Sequence, residues 1–244
     1  PDAIRAGALS RVPVTVLGLA RTGVARARFL DDAGALVTIY DGKPAAALAD
    51  RLAELDGRSI RLLAGPEVDP ASAWADAALV AFSPSITPGF PTTEPRLRAA
   101  LSGLAERLAG GDPNAPALVS EPDLTLRLCS APTIGVTGTK GKTTTASLVA
   151  HLLAADPTHP VVLGGNIGLP LIDRVTELTR AHRVVLELSE LQLPSLTRGT
   201  TVAVYMYVSG DHRDRHGSLA AYRAVKRRLA ELVEDGDAIE NLLA

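Results

Sequence analysis

The sequence predicts an α/β protein built as two parallel-sheet units in series. Short β-branched runs alternate with longer Ala/Leu/Arg stretches along the 244 residues, the pattern of strand–helix–strand repeats. Two of the runs end in glycine-rich turns, at Gly18 and Gly138, and each turn opens a helix. Between them lies the most linker-like stretch, Gly-Gly-Asp-Pro-Asn-Ala-Pro from Gly110.

In chain order, Val12–Gly18 reads as a strand and the stretch from Arg21 as a helix that stops near Gly34. Leu36–Asp41 is the next strand, and Ala78–Ser83 another that ends in a Ser-Pro loop. A helix follows over residues 94–110. A second α/β alternation begins at Pro132-Thr133-Ile134, which places the boundary near Ser130 and the domains at 1–130 and 131–244.

Hydrophobic residues make up 46% of the chain, enough for proper cores, and a net charge of −2 without a Lys/Arg block argues against a nucleic-acid partner. Cys129 is the sole cysteine, so no intrachain disulfide forms; its apolar and small neighbours predict a packed thiol. No apolar run has the length of a signal peptide or membrane span. A cytoplasmic protein without membrane partners is expected. His151, His159 and His182 fall at helix ends and read as structural or solvent-facing.

The strongest local signal is Thr133–Ala154. An apolar strand runs into Gly138-Thr139-Lys140-Gly141-Lys142-Thr143-Thr144, and an Ala/Leu-rich helix follows. Glycines let backbone N–H groups converge on phosphate oxygens, and a helix N-terminus adds partial positive charge. Lys142 can neutralise the β- and γ-phosphates, and the Thr143 hydroxyl can ligate Mg²⁺. The strict phosphate-loop pattern asks for Gly where Val136 stands. ATP and Mg²⁺ are the expected cofactors.

Gly18-Leu19-Ala20-Arg21-Thr22-Gly23 has the outline of a dinucleotide fingerprint, with Ala20 in place of its second glycine. Asp41 ends the next strand at a reasonable distance for a ribose contact. By itself this Rossmann-like start leaves NAD, another nucleotide and a structural turn open.

Taken together, the motifs resemble the Mur ligase family. A phosphate loop with a non-Gly start is shared with those ligases and with folylpolyglutamate synthases, although Lys140 stands where Asn is usual. Gly164–Leu171 is similar to the segment whose Asn lies near the muramoyl substrate, which implies that role for Asn166. Arg183–Leu193 resembles a strand ending Glu-Leu-Ser-Ser-Phe-Gln, with Glu190 and Leu191 in place of Ser and Phe. It implies a metal-holding Glu187, with Ser189 and Gln192 around metal and nucleotide. Tyr207–Lys226 resembles the pattern Asp-His-x-Asp-x-His-Gly-Ser followed by a helix with Tyr-Arg and Lys. There His212 is implied as a ligand of a second metal, supported by Asp211, and Lys226 as a carbamylated lysine beside it. Asp214 and His216 add polar groups to the same stretch.

The resemblance further implies that the first domain binds UDP rather than NAD. Arg21 and Thr22 fall at the diphosphate loop, Asp41, Gly42 and Lys43 at the uridine side, and Ser83-Pro84-Ser85 where the family has Ser-Pro-Gly. The implied catalytic set is Lys142, Glu187, His212 and Lys226, with Thr143 joining the last three as metal ligands. The layout is most similar to the members that join D-glutamate to UDP-N-acetylmuramoyl-L-alanine through an acyl phosphate, with a monomer expected. Such ligases continue past the equivalent of Ala244 into a third domain, so the resemblance implies a chain truncated before it. A non-catalytic nucleotide- or UDP-sugar-binding relative is the alternative. A folylpolyglutamate-type ligase would begin with the phosphate loop, and an NAD oxidoreductase leaves that loop unexplained.

Overall fold

A computed structural model describes residue 4 and residues 7–89, 93–168, 170–209, 218–233 and 238–241. Internal contacts divide the chain into Asp2–Glu121 and Pro122–Ala244. The expected division at residue 130 lies one helix further on. The helix Glu121–Leu128 (α4) puts Leu126 into the core of the second unit, and its Asp123 accepts hydrogen bonds from Thr197 and Arg198 there.

The first unit runs β1 (Pro13–Leu17), α1 (Arg21–Asp32), β2 (Leu36–Asp41), the short α2 (Ala49–Ala53), β3 (Arg61–Ala64), β4 (Leu79–Phe82), α3 (Pro95–Ala109) and β5 (Ala117–Ser120). Its sheet has the order β3-β2-β1-β4-β5 with every pairing parallel. Strand residues alternate between the faces. Leu17 joins Trp74, Val80, Phe82 and the α3 residues Leu97, Leu101 and Leu104 in one core. Thr15, on the Leu17 side of β1, donates its hydroxyl to Ala73 O at 2.6 Å. Val14 and Val16 are buried on the opposite face, and α1 packs along β1 and β2. The start of α3 follows its sequence: Pro95 occupies the first turn, and the Glu94 side chain accepts from the nitrogens of Arg96 and Leu97 at 3.0 and 2.7 Å.

The second unit continues through β6 (Thr133–Thr137), α5 (Lys142–Leu153), β7 (Val161–Gly165), β8 (Arg183–Glu187), β9 (Val202–Tyr205), α6 (Leu219–Glu231) and β10 (Ala238–Asn241). Its sheet order is β10-β9-β6-β8-β7, again all parallel. Val184, Leu186 and Ala203 face a core closed by Leu126 of α4 and Leu229 of α6. Val136, Val185 and Val204 face Ala146 and Ala150 of α5. A sheet covered on both faces explains the near-continuous apolar run of β8. Cys129 packs at the edge of the first of these cores, and burial pushes its thiol pKa up, as the sequence predicts.

In both sheets β1 or β6 lies at the point where the strand order turns back, so loops at the carboxyl ends of these strands frame crevices. No helix among the described residues is long and apolar enough to cross a membrane.

Candidate nucleotide and metal site

The turn after β6 is shaped by two backbone requirements. Gly141 caps α5 with φ +81°, a left-handed conformation that side chains disfavour. With no side-chain cap at this position, the first N–H groups of α5 stay available at the helix N-terminus, next to Lys142. Gly165, at the end of β7, has φ +89°, and a Cβ there would overlap the carbonyl oxygen of Glu187. This close approach lets Asn166 N donate to Glu187 O at 2.8 Å.

Glu187 is the centre of the site. It closes β8 at 2% exposure, where an unpartnered carboxylate would be costly. Thr143 donates its hydroxyl to Glu187 Oε2 at 2.6 Å, and Asn166 Nδ2 donates to Oε1 at 3.0 Å. The structure therefore brings together three residues that are 21 to 44 positions apart in sequence. Lys142 Nζ donates to Thr139 O at 2.9 Å, folded back over its own loop. Ser189 gives both its N–H and its hydroxyl to Gln192 Oε1, at 2.9 and 3.1 Å, so Gln192 uses its carbonyl to fix the turn after β8.

These residues line an open cleft of about 520 Å³. Its walls are Thr139–Thr144 on one side and Asn166, Glu187, Ser189, Glu190 and Leu191 on the other. Gly138 is buried below it with φ +154° and is not part of the wall. Lys140 is exposed.

Lys226 on α6 is fully buried. Its Nζ stands 3.6 Å from Glu190 Oε2, an ion pair short of hydrogen-bond distance, and 5.4 Å from the centre of the Tyr222 ring. Nζ has no hydrogen-bond partner among the described residues. Burial lowers its pKa from 10.5 to about 8, against the opposing pull of Glu190. Asp211, His212, Asp214 and His216 lie outside the described residues. Among the described residues no three His, Cys, Asp or Glu gather in metal-binding proximity.

The first unit holds the other predicted residues on the loops after β1, β2 and β4. Arg21 is exposed and Thr22 half-buried in the first turn of α1, where Ala20 supplies no side-chain cap. Asp41 is committed to the backbone, accepting from Leu19 N and Lys43 N, each at 2.9 Å. It ties the first loop to the second and leaves Gly42 and Lys43 at the rim. Ser83 Oγ and Ser85 Oγ are 3.1 Å apart on the third loop, beside a half-buried Pro84. The three histidines behave as expected: His151 is exposed, His159 pairs with Asp156, and His182 accepts from Thr179 N.

Arg26 is a residue the sequence did not single out. It is fully buried on α1, donates from Nη2 to Leu17 O at 3.1 Å, and its Nε and Nη1 have no hydrogen-bond partner among the described residues. Burial lowers its pKa to about 10, opposed by the charge of Glu121. An apolar helix face at one-turn spacing was the only signal, and it names no partner.

The Mur ligase middle domain profile matches residues 136–242. The chain is 38% identical over 225 residues to a UDP-N-acetylmuramoylalanine–D-glutamate ligase of Geobacter metallireducens, covering 92% of this chain and 46% of that protein. A ligase of the same name from Trichlorobacter lovleyi is 39% identical over 218 residues, or 89% and 45% of the two chains. The chain thus spans about half the length of the curated relatives it matches. Among solved structures, a murein peptide ligase from Psychrobacter arcticus shares the fold with a TM-score of 0.51 at 16% identity, over 96% of this chain and 49% of that one.

Proposed function

We propose, from the premise that this chain belongs to the Mur ligase family, that it holds ATP and the UDP-linked substrate of a peptidoglycan-precursor ligase. The reaction is the ATP-dependent addition of D-glutamate to UDP-N-acetylmuramoyl-L-alanine, the activity that its relatives' names carry. The observation that supports this best is the cluster of Lys142, Thr143, Asn166 and Glu187 on one cleft.

The donor set fits MgATP. Mg²⁺ is usually held by one or two protein oxygens together with phosphates and water, and Thr143 and Glu187 present a hydroxyl and a carboxylate 2.6 Å apart beside the phosphate loop. Thr143 and Glu187 would hold the ion, which would supply charge neutralisation for the phosphates. The loop N–H groups and Lys142, swung from Thr139 O, bind the phosphates. Asn166 aims the Glu187 carboxylate by donating to it. The exposed Lys140 adds positive charge at the rim. Phosphoryl transfer to the substrate carboxylate would give an acyl phosphate and ADP; the D-glutamate amine would then attack its acyl carbon, forming the C–N bond as the C–O bond to phosphate breaks and inorganic phosphate and a proton leave. Positioning and charge neutralisation by these groups carry most of such a step.

In the first unit, the open first turn of α1 with Arg21 and Thr22 suits a diphosphate. Gly42 and Lys43, fixed by Asp41, suit the uridine side, and Ser83, Pro84 and Ser85 close the same crevice end.

Calorimetric titration with MgATP tests the nucleotide half of this reading. Lys142→Ala removes a charge-assisted contact of about 1.5–3 kcal/mol, so binding should weaken roughly ten- to a hundred-fold. Unchanged binding would remove Lys142 from the site.

A further inference from the structure

We propose that Arg26 is a positioning residue of the first unit: a buried positive charge, set beneath the turn between β1 and α1, that holds a nucleoside diphosphate at the first turn of α1 without touching it. The proposal rests on the UDP reading of this unit given above and adds to it a residue outside the fingerprint motif.

Side chains of a helix lean toward its N-terminus, so Arg26, in the second turn of α1, points back under the residues that open the helix. Its Nη2 donates to Leu17 O at 3.1 Å, at the end of β1. The same nitrogen would stand 3.9 Å from a Cβ on Gly23. Gly23 itself packs onto the turn, since a Cβ there would overlap Gly18 O. The guanidinium thus lies against the Gly18–Gly23 turn, with the backbone of the turn over it.

A charge so placed is costly unless an anion offsets it. Arg26 is 0% exposed, and its Nε and Nη1 have no hydrogen-bond partner among the described residues. Its remaining bond goes to a main-chain carbonyl and not to a carboxylate. Glu121 acts on it through space, from the end of β5, two places from β1 in the sheet. Asp41, the carboxylate at the turn, accepts instead from Leu19 N and Lys43 N. The folded pKa of about 10 leaves Arg26 charged at neutral pH.

The start of α1 adds potential of the same sign. Ala20 gives no side-chain cap, and no acidic residue occupies the first turn. Two independent sources of positive potential therefore converge on one turn, and a diphosphate is the ligand class that supplies the opposite charge there. Salt screens a buried charge little, and Arg26 needs no ordering when the ligand arrives, unlike the exposed Arg21.

The test is calorimetric titration of the full chain with UDP, on the wild type, Arg26→Lys, Arg26→Gln and Arg26→Met, each checked for folding by circular dichroism. Lysine keeps the charge and a donor, glutamine keeps a donor without the charge, and methionine keeps neither. Arg26→Lys should bind within about threefold of the wild type, and Arg26→Gln and Arg26→Met should both bind about tenfold more weakly. Equal binding by all four would overturn the proposal. So would wild-type affinity in Arg26→Gln with a loss in Arg26→Met, since Arg26 would then only pin Leu17 O. A loss in Arg26→Lys as large as in Arg26→Gln would also overturn it, because the charge would not be what matters. A further variant leaves Arg26 in place: Glu121→Gln removes the opposing charge and should tighten UDP binding by about threefold, and unchanged or weaker binding by this folded variant would count against the proposal even if the neutral Arg26 variants did not fold. A folded wild type that binds neither UDP nor UDP-N-acetylmuramoyl-L-alanine would refute the UDP reading itself and this proposal with it, a result distinct from equal binding by all four chains.

Discussion

Gly165→Ala probes how the cleft is assembled. Two costs add at this position. An L-residue at φ +89° is strained by about 1–2 kcal/mol. The new Cβ would also overlap Glu187 O and stand 2.9 Å from Glu187 N, atoms of a central strand that cannot swing aside. Forcing β7 and β8 apart should cost a further ~1–3 kcal/mol, as overpacking does. The sum is about 2–5 kcal/mol, a large share of the stability of an ordinary domain. Gly57→Ala is the control. Its φ is +77° and nothing lies within 4 Å of a Cβ, so only the backbone strain applies. Urea unfolding followed by circular dichroism should show a clearly larger fall in midpoint for Gly165→Ala than for Gly57→Ala, with similar slopes. Equal shifts would refute the close approach of β7 to Glu187 that sets Asn166 in place.

Lys226 predicts a pH effect. Its folded pKa of about 8 lies below the ordinary 10.5, so between these values the unfolded chain binds more protons and stability rises with pH. The shift corresponds to ~3 kcal/mol over the whole window; urea midpoints between pH 8 and 9.5 should climb, and Lys226→Met should flatten that slope. Asp123 predicts the opposite limb. Burial would raise its pKa, but donors from Thr197, Arg198 and Arg127 more than offset this and hold it below the usual carboxylate range. Its stabilisation is present above pH 4 and is lost as pH falls through the lowered value. Asp123→Asn should cost about 2–4 kcal/mol near neutral pH by unfolding, because the charge-assisted bonds that tie α4 to the loop after β8 are weakened; a loss under 0.5 kcal/mol would contradict this role.

The legibility of the chain followed the physics of each segment. β1, α1, β2, β6 and α5 were readable because their apolar runs are bounded by Gly18, Gly34, Gly138 and Gly141, residues whose backbone freedom the turns require. β3, β5 and β7 are not followed by a glycine turn that opens a long helix, so nothing in the pattern marks their ends. α4 was read with the linker before it, since eight residues with a Pro give little amphipathic signal, and only Asp123 bonding to Thr197 shows where it belongs. In the site, Lys142 and Thr143 were legible from loop spacing and Glu187 from its place at a strand end. The Glu190–Lys226 pair was not. Its members are far apart in sequence and were noted in two separate motifs, and only the packing of α6 against the turn after β8 brings them within 3.6 Å. The burial of Arg26 was hidden for the same reason.

The most direct test of the ligase reading is calorimetric titration of this chain with UDP-N-acetylmuramoyl-L-alanine, with NAD as the control. The proposed UDP-binding residues, Arg21, Thr22, Asp41, Gly42, Lys43, Ser83, Pro84 and Ser85, all lie within the first unit. Saturable binding of the muramoyl nucleotide without binding of NAD is the result expected. Binding of NAD alone, or of neither by a chain shown to be folded, would contradict the assignment of the first unit to a UDP-linked substrate.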